Sequence, residues 1–325
     1  MPKVSVIIPN YNHARFLEQR IESVLNQTFQ DFEVILLDDA SPDNSLDIIN
    51  RYHDHPKFTI VINEKNSGST FLQWKRGVEI AKGEYIWIAE SDDVAEPQLL
   101  NTLVKHLEES PSIVLAYCQS LTIDSEGNRL DSACRWTKNI DKDRWDHNFI
   151  NNGEDECVNY LILQNTIPNA SAVVFRKSSF MKINTTTDLR LSGDWIIWSR
   201  LIKQGDIAFC AEHLNLFRQH PQTVRFSTKQ ALLSKEWILV TKEILSSAKL
   251  TKKQKAELGT KLFQCWKQLI SPRILLNPKT LYFYVSTLFV ISPGKALRFY
   301  LHILFKTISS INNRVWKVMF FPKLS

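Results

Sequence analysis

The sequence predicts an α/β fold, a mostly parallel central sheet with helices on both faces, followed by a mostly helical C-terminal region. Three observations carry that reading. Short, nearly unbroken apolar runs alternate with segments of helical period over residues 1–120. The order strand, helix, strand repeats, which favours parallel pairing. Beyond Phe226 the pattern is helical to the end, broken at Pro272, Pro278 and Pro293.

The elements follow in order. Residues 4–9 are a continuous apolar run and predict a buried strand. In 13–27, Phe16, Leu17, Ile21, Val24 and Leu25 form a helical stripe. Phe32–Asp38 predicts a second buried strand, and 45–52 a short helix behind the turn Ala40-Ser41-Pro42-Asp43. A third strand at 58–63 leads to a helix at 69–81. There Lys82-Gly83 reads as a cationic last turn and a glycine stop. Residues 85–89, a helix at 97–109 and a strand at 113–119 complete this part. From 120 to 225 the pattern loosens. It holds a hairpin turn at 124–128, a helix at 157–164, a strand at 172–176, a helix at 194–203 and a strand at 207–211. Residues 1–225 are therefore expected to form one domain, and 226–325 a basic helical region.

Composition removes several classes. The five cysteines of the 325 residues include no C-x-x-C pair, which disfavours zinc ribbons and thioredoxin chemistry and fits a reducing interior. Glycine occurs only nine times, and neither G-x-G-x-x-G, a P-loop nor HExxH is present. Residues 1–229 carry 24 Lys and Arg against 31 Asp and Glu, a net of −7. Residues 230–325 carry 16 against 3, a net of +13. An acidic front half excludes nucleic acid as the expected partner, while the basic back half calls for an anionic surface. The chain opens without a basic, then apolar, secretory leader, so a cytoplasmic location is expected. The longest uncharged stretch, 280–294, has 15 residues and contains Pro293, short of the roughly 20 needed to span a bilayer. The sequons at Asn26, Asn169 and Asn184 then read as chance matches.

Ligands of parallel α/β sheets bind beyond the carboxyl ends of the strands. Three loops there are polar: Pro9-Asn10-Tyr11-Asn12, Asp38-Asp39-Ala40-Ser41 and Glu90-Ser91-Asp92-Asp93. Adjacent carboxylates repel unless solvated or bridged by a cation, and Mg²⁺ or Mn²⁺ with open positions suits them. The alternative for Asp92-Asp93 is a solvated cap of the next helix.

These loops, with Gln27-Thr28-Phe29, Asn66-Ser67-Gly68 and Ala81-Lys82-Gly83-Glu84-Tyr85-Ile86, occur in an order that resembles family 2 glycosyltransferases of GT-A fold. The resemblance covers residues 3–100 closely and 165–225 more loosely. It implies an inverting transfer of a sugar from a nucleotide-sugar, usually a UDP-sugar, with Mn²⁺ or Mg²⁺. By that resemblance Pro9 and Tyr11 line the base pocket and Asp39 bonds the uracil. Asp92 sits near the ribose and metal, and Asp93 ligates the metal. Asp194, in Ser192-Gly193-Asp194-Trp195, matches the family's catalytic base. Arg218 and His220 match a segment ending in R-x-H, with His220 a metal or diphosphate contact and Arg218 orienting it or touching phosphate. Asn169-Ala170-Ser171 lies where relatives meet the acceptor.

The chain departs from the family at three points. Glu90 stands where the first acid of the D-x-D-D signature is usual. Lys75-Arg76 replaces an Arg-Asn pair, and Gly193 replaces an acid. For Asp194 the bland alternative is a helix cap, and for Trp195 and Trp198 it is core packing.

Residues 271–325 interleave Lys and Arg with apolar segments such as 281–285, 299–305 and 315–321. They are expected to lie on an anionic membrane surface, or else to pack as a helical subdomain. The resulting expectation is a membrane-peripheral enzyme acting on a saccharide or lipid-linked saccharide in surface polysaccharide synthesis. The alternatives are a sugar nucleotidyltransferase, which normally has a glycine-rich first loop, or a catalytically silent scaffold recruited by the tail.

Overall fold

Ten strands join in one sheet among the described residues: β1 (Val4–Asn10), β2 (Phe32–Asp38), β3 (Phe58–Ile62), β4 (Tyr85–Ile88), β5 (Val94–Ala95), β6 (Ile113–Ile123), β7 (Arg129–Ser132), β8 (Phe149–Asn152), β9 (Val173–Arg176) and β10 (Asp206–Arg218). The computed structural model describes residues 1–132, 137–167, 169–185, 189–220, 230–248, 250–269 and 278–305. The strand order is β3-β2-β1-β4-β9-β6-β10-β5, with β7 on β6 and β8 on β10. The first four strands are parallel, as is β6 with β10. β9 enters antiparallel between β4 and β6.

β1 and β2 are buried at every position. Alternate residues face opposite sides, so such strands need cover on both faces. Val4, Val6 and Ile8 share a core with Leu17, Ile21 and Val24 of α1 (Ala14–Leu25). α2 (Ser45–Asn50) packs beside α1. On the other side, Ile7 meets α3 (Thr70–Ile80) at Gly77. α4 (Leu99–Glu109) adds Leu99, Leu100, Leu103, Val104 and Leu107 to the first face. Each such buried aliphatic side chain contributes about 1.5–3 kcal/mol.

Gly83 has a different role from the expected helix stop. α3 ends at Ile80, and Ala81 is already extended at φ −59° and ψ 140°. A Cβ on Gly83 would lie 2.5 Å from the Ser5 backbone nitrogen, so glycine is needed for close approach to β1. Ser5 Oγ accepts from Gly83 N and donates to Glu33, fixing that approach.

β10 runs seven residues past the apolar segment that marks it. Its register shifts at Cys210/His213 and His213/Asn215, which breaks the alternation that sequence reading depends on. Its far end pairs with β5 through Asn215↔Ala95 and Leu216↔Val94, beside the Asp92-Asp93 turn. After β8 come α5 (Gly153–Glu156) and a π-helical turn at Cys157–Leu161. α6 (Lys177–Phe180) and α7 (Gly193–Ile202) flank the chain between β9 and β10.

The chain divides into two compact units, Met1–Leu161 with Asn165–Ser227, and Ile162–Gln164 with Thr228–Ser325. The second contains α8 (Gln230–Ser247), α9 (Lys252–Leu269), α10 (Pro278–Ile291) and helical residues 293–305. Trp266, Tyr284 and Phe299 are buried at its centre, with Trp266 edge-on to Tyr284 at 4.7 Å. Among the described residues no helix is long and apolar enough to cross a membrane. Cys118, Cys157 and Cys210 are buried free thiols. Cys134, the Cys265 side chain and segment 315–321 lie outside the described residues.

Candidate active site

Three loops leave the carboxyl edge of β1, β2 and β4, as their parallel register requires. The first begins at Pro9, buried near the end of β1, and exposes the Tyr11 ring, which is 47% accessible. Asn12 and Ala40 adopt left-handed φ of 59° and 58° where the first two loops turn away. Asn10 Nδ2 donates to Asp38 Oδ2 at 2.7 Å and ties those loops together.

Asp39 is buried and heavily engaged. Its carboxylate accepts from Asn63 Nδ2 (2.6 Å), Gln73 Nε2 (2.9 Å), Ser67 N (2.9 Å) and Ser67 Oγ (2.8 Å). It therefore organises the Asn66-Ser67-Gly68 loop and the start of α3. Arg76 donates to Asn63 Oδ1 and belongs to the same network. Lys75 is exposed and pairs with Glu79 at 3.8 Å.

The Glu90–Asp93 turn splits its acids by direction. Asp93, 1% exposed, faces inward. It accepts from Asn169 Nδ2 (2.8 Å), Ser171 Oγ (2.6 Å) and Arg218 N (2.9 Å). Burial and the neighbouring Asp92 push its carboxyl up to about 6. Asp93, expected as a metal ligand, is thus held by three protein donors and anchors the turn. Asn169 and Ser171, expected at the acceptor, supply two of those donors. Glu90 accepts from Trp74 Nε1 at 2.8 Å, and burial with Asp92 nearby raises its carboxyl to about 8.

Arg218, expected to orient His220 or to touch phosphate, has its guanidinium among protein groups. It is buried, with Nε on Asp92 O (2.7 Å), Nη1 on Asp124 O (2.9 Å) and Nη2 on Gln19 Oε1 (2.5 Å). Its guanidinium clamps loops and carries the chain to His220. There His220 Nε2 meets Asp92 Oδ2 at 3.1 Å. Burial pushes the Asp92 carboxyl up, but the His220 hydrogen bond and the His13 and His220 imidazoles outweigh it and hold the carboxyl low. One ligand atom each from His13, Asp92 and His220 lie within 4.8 Å of one another. An open cavity of about 660 Å³ reaches both histidines.

This donor set fits a divalent cation. His220 is 6% exposed and its Nδ1 has no hydrogen-bond partner. Imidazole with carboxylate suits Mn²⁺ better than the all-oxygen shell Mg²⁺ favours.

Helix α3 touches each part of the edge. Gln73 reaches Asp39, Trp74 reaches Glu90, and Phe71 meets Gly193 at the start of α7. A Cβ on Gly193 would lie 2.3 Å from the Phe71 ring, so the acid usual there has no room. Trp74 stacks on Trp198 of α7 at 5.6 Å. Asp194 therefore sits on a helix packed directly on the hub of the other loops. It is half-buried, accepts from Trp195 N (2.7 Å) and is met by Asn165 Nδ2 (3.2 Å). Ser192, not Asp194, is the N-cap residue. Trp195 and Trp198 are buried core residues.

The model of glycosyl transferase family 2 matches residues 5–181. The chain belongs to this family. Glycosyltransferase GlyG of Streptococcus pneumoniae serotype 4 is 26% identical over 235 residues, 68% of this chain and 72% of GlyG. Chondroitin synthase of Escherichia coli is 34% identical over 137 residues, 42% of this chain but only 20% of that relative's length. S. aureus TarS in complex with UDP-GlcNAc superposes with a TM-score of 0.66 at 15% identity, over 88% of this chain and 81% of that one. The shared fold is GT-A, and the chain is a glycosyltransferase.

One residue of this glycosyltransferase site escaped the sequence reading. Arg20 of α1 is fully buried, donates Nε to Glu90 O at 2.8 Å and stands 4.0 Å from Asp93 Oδ2. Its signal was a cation at a core-facing position among Phe16, Leu17, Ile21 and Val24.

Proposed function

We propose that this glycosyltransferase moves a hexose-type sugar from a UDP-sugar to a saccharide or lipid-linked saccharide, with inversion, in surface polysaccharide synthesis. The observation that carries the reading is the Asp92–His220 pair on the sheet edge where Asp39, Glu90 and the Asp194 helix are linked through α3. The UDP-GlcNAc complex of TarS and the polysaccharide product of chondroitin synthase support the donor and acceptor classes.

In this mechanism Tyr11 stacks on the base, and the Asp39 loop closes beside it. Asp92 and His220 would hold a divalent cation, whose charge stabilises the departing diphosphate more than the bound donor. Asp93, Arg20 and Arg218 keep the turn in place. Asp194 takes the acceptor proton as that oxygen attacks the anomeric carbon from the face opposite the leaving group.

A thermal-shift series with UDP-, GDP- and TDP-sugars and Mn²⁺ tests the donor. A selective rise in melting temperature with UDP-sugars is expected, since ligand binding to the native state stabilises it by mass action. NMR of the product should show the inverted anomer. Stabilisation confined to GDP-sugars, or retention of configuration, would refute the proposal.

The C-terminal helices are proposed to rest on the cytoplasmic face of the membrane. Tyr282, Phe289 and Val290 on α10, and Leu297, Leu301 and Phe305 on 293–305, are exposed apolar residues within the basic region. Such residues bury in the interface while cations meet anionic headgroups. Full-length protein is expected to float with phosphatidylglycerol vesicles. A combined Phe289→Ser, Leu297→Ser, Leu301→Ser and Phe305→Ser variant is expected to stay below. Equal flotation of both would remove the membrane role.

A further inference from the structure

We infer that His13 is a third protein ligand of the cation held by Asp92 and His220, giving a site of two imidazoles and one carboxylate. The inference rests on the cation reading above and adds a residue to it.

His13 directly precedes α1, and Ser91 and Asp92 follow β4. β1 and β4 are parallel neighbours, so both loops leave the sheet at one edge. There His13 Nδ1 lies 2.8 Å from Ser91 Oγ. A partner at one ring nitrogen holds the rotation of a ligating histidine and leaves the other nitrogen, here Nε2, to bind. The His13 and His220 rings stand edge to face, 5.6 Å apart at 84°. Phe16 backs both, at 6.1 Å from His13 and 4.9 Å from His220. This apolar support limits ring motion without competing for the nitrogens. With ligand atoms already within 4.8 Å of one another, the three side chains are placed to meet on one ion. The cavity lined by Asn12, Arg15 and Ser125 leaves the ion's remaining positions open to diphosphate oxygens.

The consequence is selectivity. Two imidazoles move preference from Mg²⁺, a cation of oxygen shells, toward first-row transition cations, of which Mn²⁺ is the probe used below. A chain with Asp92 and His220 alone would discriminate less.

Mn²⁺ titration of the full-length protein, followed by EPR without any sugar substrate, tests this. Pulsed EPR of the bound ion should show two imidazole nitrogen couplings in the wild type and one in His13→Gln. Mn²⁺ affinity should fall at least about tenfold in His13→Gln, whereas Ser91→Ala, which removes only the orienting hydroxyl, should lose about 10-fold or more yet keep both couplings. A single coupling in the wild type overturns the site of two imidazoles, and its persistence in His13→Gln leaves Asp92 and His220 in place. The wild-type count needs no variant to fold. Absence of Mn²⁺ binding by the wild type, with and without UDP, overturns the cation reading itself.

Discussion

Asp194→Asn is expected to lower kcat by about 10²–10⁴-fold, the usual contribution of a general base, with the donor KM unchanged. That loss corresponds to roughly 3–5 kcal/mol of transition-state stabilisation. The stability cost is far smaller. Asp194 lies in the first turn of α7, where a negative charge contributes about 0.3–1 kcal/mol. An amide of the same shape keeps an oxygen for Trp195 N and loses at most the 3.2 Å bond from Asn165 Nδ2, because Asn165 Oδ1 is held by Ile167 N. Steady-state UDP release and melting temperature on the same preparations separate the two contributions. Near-normal turnover with a slightly lowered melting temperature would leave Asp194 as a helix-terminus charge and nothing more.

Much of the fold was legible because its first half obeys simple periods. β1 and β2 are short apolar runs, and α1 and α4 carry helical stripes, so strand and helix could be told apart residue by residue. Pairing across the sheet was less legible. Nothing local in Val173–Arg176 states that it inserts antiparallel between β4 and β6. The two-residue β5 carries no pattern, and the register shifts of β10 conceal its second half. Those elements bring Arg218 and His220 to the Asp92-Asp93 turn, so the parts hardest to read are the ones that complete the site.

The candidate site shows the same division. The loops that carry Tyr11, Asp39 and Asp92 were found because strand ends and polar runs coincide, whereas His220 was reached only through its likeness to the family's R-x-H segment. Which of two adjacent aspartates faces the cleft was not legible. Neighbouring side chains in a turn point in different directions, and the choice depends on donors brought in from β9 and β10. Asn169, Ser171 and the Arg218 backbone select Asp93 for the interior, and His220 then meets Asp92. Gly193 is similar: its lack of a side chain is explained only by the Phe71 ring against it.

Arg20→Met is expected to destabilise the protein by about 3–5 kcal/mol, the cost of removing one partner from a buried ion pair. The reason lies in the charge around the turn. Glu90, Asp92 and Asp93 cluster there, and Arg20 is the fully buried cation 4.0 Å from Asp93. Burial lowers its own proton affinity, to about 10, yet leaves it charged at neutral pH. Its Nη1 and Nη2 have no hydrogen-bond partner, so its contribution is charge compensation together with the Nε bond to Glu90 O. If compensation dominates, Asp93→Asn should be costly alone but should rescue part of the loss in Arg20→Met, since the double variant buries neither charge. Urea denaturation of wild type, both single variants and the double variant gives the coupling directly, expected at about 0.5–3 kcal/mol. Strict additivity would mean that Arg20 acts through its packing over the Trp87 ring, 5.6 Å away, and not through Asp93. Coupling at this level would make the inward aspartate and its arginine a single unit, whose function is to hold the turn so that Asp92 meets His220.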